Sequence, residues 1–200
     1  VSLGRDRDYS AFHILNRYNG EQVAEFYSNR TPINEFAEII AREASLYNIA
    51  YTVVERNTIG NNLVDWLFKV LEYENLWMET DKDFGIQVTS KNRETMLAKL
   101  EEYIRTNKFK INSKRTINEL LTFIINDSGK VQADKNHNDD LVMSLAVAAH
   151  VFDILEDTNP VEASPNPSRT RGPMPPVSTQ AALLDSYGGI TKEEIKWLMK

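Results

Sequence analysis

Asn19-Gly20 is the feature that most limits what this chain can become. Both residues tolerate positive φ, and they separate two stretches of strand formers, 9–18 (YSAFHILNRY) and 21–29 (EQVAEFYSN). The dipeptide therefore predicts a tight hairpin between antiparallel strands, to which everything later must add. Beyond the hairpin, helical and extended patterns alternate. Residues 31–48 carry Phe36, Ile39, Ile40 and Leu46 at helical spacing, with Thr31 as cap and Pro32 in the first turn. Residues 49–57 (IAYTVVERN) read as a short buried strand ending in Glu55, and Gly60 with residues 61–74 as a second helix. Short strands are expected at 76–80, 85–88 and 108–112, helices at 92–107 and 114–123, and a hairpin over 124–134 about residues 127–129. A helix from about Asp139 to Leu155 closes the series. Hairpin first, then strands alternating with helices, predicts the α/β class: a mixed central sheet flanked by helices.

Two hundred residues, 42% hydrophobic and 26% charged, suit one soluble domain with a tail. The net charge of -6 argues against a generally basic nucleic-acid binder but leaves a local basic face open. The absence of cysteine excludes disulfides and thiolate metal sites, and no apolar run approaches the roughly 20 residues of a membrane span. With neither an initiator Met nor a leader, the start at Val1 reads as a piece of something longer, expected inside the cell. The core is expected to end at residue 155. Six prolines between Pro160 and Pro176 mark residues 156–177 as a linker. Residues 178–200 form a tail whose end, ITKEEIKWLMK, has the Thr191/Glu194 capping pattern and an apolar face of Ile190, Ile195, Trp197 and Leu198, as a docking helix would.

The segment HNDDLVMSLA sets Asp139 and Asp140 side by side before an apolar stretch with no further charge until Asp153. A helix start uses one acid as a cap. A second beside it repels the first unless a cation or solvent receives it. Capping and metal binding both stay open on this segment. Glu55 stands at the C-terminal end of an apolar strand, where open sheets place their sites. The loop after it, RNTIGNN, suits a backbone passing close to a phosphate, and an ordinary strand-to-helix turn looks the same. Asp6 and Asp8 precede the first strand. Between Glu102 and Glu119 there is no acid, while Arg105, Lys108, Lys110, Lys114 and Arg115 give a local charge of +5; Lys91, Arg93 and Arg56 extend the set. Such a run is either a phosphate-binding face or a solvated one. His13 and His150 lie inside elements and only His137 accompanies acids, so zinc is not expected. No GxxxxGK[ST] loop, serine elbow or cysteine nucleophile exists. Carboxylates without nitrogen or sulfur donors suit Mg²⁺ or Mn²⁺, used most often for phosphodiester hydrolysis.

Taken in order, GRDRDYSAFHI, YTVVERN and HNDDLVMSLAVA resemble a family, the nuclease domain of the large terminase subunit of tailed bacteriophages, over roughly residues 1–155. TSKNRETM and INELLTF fall where that family carries a Lys/Arg pair and a helix before the final hairpin. The resemblance implies an RNase H-like fold and a two-ion endonuclease that cuts concatemeric double-stranded DNA during genome packaging. It implies Glu55 and Asp139 as metal ligands, Asp140 as an auxiliary ligand, and Asp8 as a supporting acid. One of the adjacent aspartates would ligate metal while the other caps the helix or positions water. The family's first-strand Asp falls just before Val1. Implied partners are double-stranded DNA, an N-terminal packaging ATPase, the portal protein and the small terminase subunit, with no membrane, in a packaging complex in the host cytoplasm. Two other readings compete: another RNase H-like nuclease of resolvase or integrase type, and a catalytically silent module docking to portal or capsid.

Overall fold

The expected hairpin forms. In the computed structural model, which describes residues 1–2, 8–125, 131–134 and 137–158, β1 (Ser10–Leu15) pairs antiparallel with β2 (Gln22–Ser28). The turn is closed by the Gly20 amide donating to the Asn16 carbonyl at 2.8 Å. Gly20 is obligatory here for two reasons: its φ is +66°, and a Cβ on it would lie 1.8 Å from the Lys108 carbonyl oxygen. Helix α1 (Ile33–Leu46) comes next, but Thr31 does not cap it. Pro32 occupies the cap position in an extended conformation, and the Thr31 hydroxyl donates instead to Ser28 Oγ at 2.8 Å. Phe36, Ile39 and Ile40 are buried as the spacing predicts, whereas Leu46 is exposed at the helix end.

Asn48 and Ile49 leave the helix with positive φ of 64° and 53°, so the next extended segment starts at Thr52 rather than 49. It is held by parallel bridges, Thr52 to Leu76 and Glu55 to Ile86, instead of a continuous ladder. Helix α2 (Gly60–Asp65) continues as a π-helical stretch, Trp66–Val70. The two strands expected next are shorter: β3 (Met78–Thr80) and β4 (Asp83–Phe84) form a small hairpin, and Ile86 alone joins Glu55. Helix α3 (Ser90–Arg105) begins with a reciprocal cap between Thr89 and Asn92. The strand expected at 108–112 reduces to one bridge between Lys110 and Glu21, because Phe109 buries its ring in the core beside Tyr103. Helix α4 (Lys114–Leu121), capped by Ser113, leads into β5 (Phe123–Ile125), paired with β6 (Val131–Ala133). The turn expected at 127–129 lies outside the described residues. Helix α5 (Asp140–Thr158) is longer than expected by three residues at its end. The expected linker beyond it and the docking helix lie outside the described residues. No helix among the described residues is long and apolar enough to cross a membrane.

The extended layer has helices on both faces. Val54 joins a cluster with Phe36, Leu63, Leu67 and Leu76 from the α1 and α2 side, while its neighbour Val53 packs against Met96, Leu100, Leu145 and Ala146 from α3 and α5. Adjacent strand residues face opposite ways, so this split identifies a sheet layer between two helix layers. Phe12 and Phe26 bring the hairpin into the first cluster, with ring centroids 5.5 Å apart, and Leu15 reaches the second. Full burial of such side chains stabilises by roughly 1.5–3 kcal/mol each; both clusters hold the Glu55 segment, through Val54 and Val53, and the second fastens α5 to the same layer.

One helix turns polar residues inward. In α4 the buried residues are Thr116 and Glu119, while Ile117 and Leu121 are exposed, Leu121 at 78%. A polar face turned inward must be held by polar bonds. Two of these are present: the Thr116 hydroxyl donates to buried Glu25, and Glu119 accepts backbone amides of α5.

Candidate metal centre

Asp139 and Asp140 stand at the start of α5, whose first amides have no partner within the helix. Neither aspartate is needed as the cap. Glu119 reaches across from α4, its Oε1 accepting the Val142 amide at 2.8 Å, and it also accepts the amide of Leu141. The Leu141 carbonyl is held from the other side, accepting from His13 Nε2 on β1 at 3.0 Å. That contact makes Nε2 the protonated nitrogen. His13 Nδ1 then accepts from Gln22 Nε2 at 2.8 Å, and Gln22 Oε1 accepts the amides of Asn112 and Ser113, both at 2.9 Å. Burial lowers the His13 pKa, which keeps this chain of bonds in its neutral form.

The acids here are forced together. Burial pushes the Asp140 carboxyl up to about 6; the Tyr9 amide draws it down, while Asp139 and Asp8 push it further up. Burial pushes Glu119 up to about 7 against the pull of its two amides, with Asp140 and Asp139 adding to the rise. Arg93 from the first turn of α3 partly offsets the charge, its Nη2 lying 2.8 Å from Asp139 Oδ2. Tyr9 and Tyr27 stack beside the pair with centroids 4.1 Å apart, and the Tyr27 hydroxyl accepts from Asn138 at 2.9 Å. Among the described residues no three His, Cys, Asp or Glu side chains converge into a complete ion cage. The donors that do meet are all oxygens under mutual repulsion, which fits a hard divalent cation in type and in charge.

Of the residues singled out in the sequence, Asp8, Asp139 and Asp140 come together electrostatically. Glu55 ends its extended segment beside Ile86, with its carbonyl oxygen so close to α2 that a Cβ at Gly60 would lie 1.8 Å away. The tight loop around Gly60 thus accommodates the protein's own backbone. The basic residues divide. Arg56 pairs with Glu79 at 3.0 Å and Asp83 at 3.5 Å; Arg105 with Glu101 at 3.0 Å; Arg115 with Glu25 at 3.2 Å. Lys108 pairs with Glu156 and lies over the Tyr103 ring. Lys91, Lys110 and Lys114 are exposed and have no acidic partner among the described residues. Sequence reasoning missed Glu119, His13 and Gln22. Glu119 lies between Asn118 and Leu120 on a short helix whose Ile117 and Leu121 face outward, so periodicity carried no signal for it.

The raised Glu119 pKa has a definite sign. A folded pKa above the unfolded one means that the native state holds a proton the unfolded chain releases, so ionisation costs stability. Relative to Glu119→Gln, whose side chain does not titrate, the native chain should lose stability as pH rises from 4.5 through about 7, then level off. Asp140 and His13 titrate in both proteins and cancel to first order. Urea unfolding of the two across this window tests the assignment, and a constant or growing native advantage would contradict it.

The chain matches the terminase RNase H-like domain family over residues 2–151. Its fold is similar to the crystal structure of the large terminase nuclease from thermophilic phage G20c with bound magnesium: TM-score 0.62, 22% identity, covering 74% of this chain and 76% of that one. The same phage nuclease with bound cobalt gives TM-score 0.62 at 22% identity, covering 72% of this chain and 76% of that one. The large terminase nuclease domain of Thermus phage P74-26 gives TM-score 0.58 at 22% identity, with 72% and 73% covered. Structural likeness at this identity speaks for the RNase H-like fold, and the family match runs from the first described residues into α5. The chain belongs to the terminase RNase H-like domain family.

Proposed function

We propose that this domain is a divalent-metal-dependent endonuclease that cuts concatemeric double-stranded DNA during viral genome packaging. The observation that carries the reading is the Asp139-Asp140 pair, set at the start of a buried helix whose cap comes from Glu119, so that neither carboxylate is consumed in capping. The magnesium and cobalt bound to the phage G20c nucleases support the use of a divalent ion. Asp139, Asp140 and Glu55 would hold two Mg²⁺ or Mn²⁺ ions, with Asp8 adding negative charge beside Asp140. When bound, such ions activate water and stabilise the departing 3′ oxygen of a phosphodiester. The chain's own side chains bind and orient: Arg93 fixes the Asp139 carboxylate, and the exposed Lys91, Lys110 and Lys114 take backbone phosphates without reading sequence. Arg56, Lys108 and Arg115 are held by acids and contribute less to that contact. The packaging ATPase, portal and small terminase subunit are the proposed partners, in the host cytoplasm.

Replacing Glu55 or Asp140 by Ala should abolish Mg²⁺-dependent conversion of supercoiled plasmid to nicked and linear forms without unfolding the domain. Retained cleavage would remove that residue from the site. Charge reversal at Lys91, Lys110 and Lys114 together should weaken duplex binding and shallow its salt dependence by about 0.9 per lost phosphate contact. Binding with an unchanged salt slope would return these lysines to the status of ordinary surface charges.

A further inference from the structure

We propose that Glu119 and His13 are positioning residues that set the direction in which Asp139 and Asp140 present their carboxylates. The inference rests on the reading of that pair as metal ligands and assigns a task to two residues outside it. Three bonds converge on two consecutive peptide units. Glu119 takes the amide of Leu141, in the peptide directly after Asp140, and the amide of Val142 at 2.8 Å, in the next one. His13 donates to the Leu141 carbonyl in that second peptide at 3.0 Å. Both peptide planes are thereby pinned by side chains from different elements, which fixes the backbone from which Asp140 projects. The Asp139 carbonyl closes the first helical bond, accepting the Met143 amide at 2.8 Å, so the preceding residue is tied to the same turn.

Both clamping groups are themselves held. His13 is oriented by Gln22, which is only 3% exposed and is anchored in turn by the Asn112 and Ser113 amides. Ser113 caps α4, the helix that carries Glu119. The clamp is therefore a closed circuit from α4 through β2 and β1 to α5, and back to α4. Its cost points to function. Turning α4 by half a revolution would bury Ile117 and Leu121, each worth roughly 1.5–3 kcal/mol when fully covered. The helix instead exposes both and buries a glutamate beside two aspartates. Leu120 keeps one apolar contact with the core in this orientation; the buried acid is the departure, and departures of this kind gather where a site must be held in place.

The test uses the full 200-residue chain, MgCl₂ titrated by calorimetry, and amide hydrogen exchange at Leu141 and Val142. Native protein should bind Mg²⁺ with both amides protected. Glu119→Leu and His13→Phe should stay folded, exchange these two amides faster, and bind Mg²⁺ about 10- to 100-fold more weakly, the usual effect of losing a group that orients a ligand, whereas Glu119→Gln keeps an acceptor oxygen for the amides and should retain most of the affinity. His13→Gln retains an N–H for the Leu141 carbonyl and should recover most of the affinity; it also decides the matter if His13→Phe does not fold. Faster exchange with unchanged Mg²⁺ affinity in Glu119→Leu and His13→Phe would overturn the positioning role while leaving the metal site intact. Unprotected Leu141 and Val142 amides in the native chain would overturn it as well. Native chain that protects both amides yet binds no Mg²⁺ would overturn the metal reading, and this inference with it.

Discussion

The first turn of α5 enters the interior with backbone amides that no helical carbonyl can satisfy, and leaving such groups buried and unpaired costs about 1–3 kcal/mol apiece. This chain meets that constraint from a distance, with Glu119 of another helix. Much of the remaining arrangement is a consequence. α4 must turn its polar face inward, so Thr116 and Glu119 are buried while Ile117 and Leu121 face solvent. Glu25 must lie inside to receive the Thr116 hydroxyl, and Arg115 must stay beside Glu25 to balance it. A basic residue that in sequence belongs to a continuous positive run is thus committed to an internal charge.

The same borrowed cap leaves two adjacent carboxylates without a capping duty, and the fold pushes them toward one another. Burial raises Asp140, and its neighbours Asp139 and Asp8 raise it further. Such a cluster is costly in isolation, and under the proposed metal reading a bound cation would relieve repulsion already present in the protein. Arg93 supplies one positive charge to Asp139 in the meantime. The surrounding scaffold is rigid enough to sustain this. α5 packs on α3 through Leu145, Ala146 and Ala149 against Met96 and Leu100, and on β1, which carries His13.

The parts of this fold that obey local rules are legible in the sequence. Asn19-Gly20 predicts the hairpin because the turn demands positive φ, and Phe36, Ile39 and Ile40 predict the buried face of α1 because helical spacing is a local property. The closing helix and the paired aspartates are legible from charge followed by an apolar run. Sequence reasoning fails where a competing local bond, an unforeseen turn or a distant partner decides. Thr31 looks like a cap until Ser28 takes its hydroxyl, and the extended segment near Glu55 starts late because Asn48 and Ile49 turn the chain. The run from Arg105 to Arg115 is continuous in sequence, yet Arg105, Lys108 and Arg115 each find an acid, Lys108 and Arg115 on elements that only folding brings near. Glu119 and His13 are illegible for the same reason: their meaning lies in two peptide units far along the chain from either of them.

If Asp139, Asp140 and Glu55 hold the metal ions of a nuclease centre, paramagnetic broadening of backbone amide resonances by substoichiometric Mn²⁺ is the most direct way to see it. Broadening falls off steeply with distance from the ion and needs no catalysis to be observed. Signals of residues 139–142 and 54–56 should vanish first, with Tyr9 close behind, the hairpin of Glu79 and Asp83, which Arg56 holds near Glu55, following at higher Mn²⁺, and Glu156 at the far end of α5 spared. Broadening centred on that hairpin, or spread evenly over exposed carboxylates, would contradict the assignment.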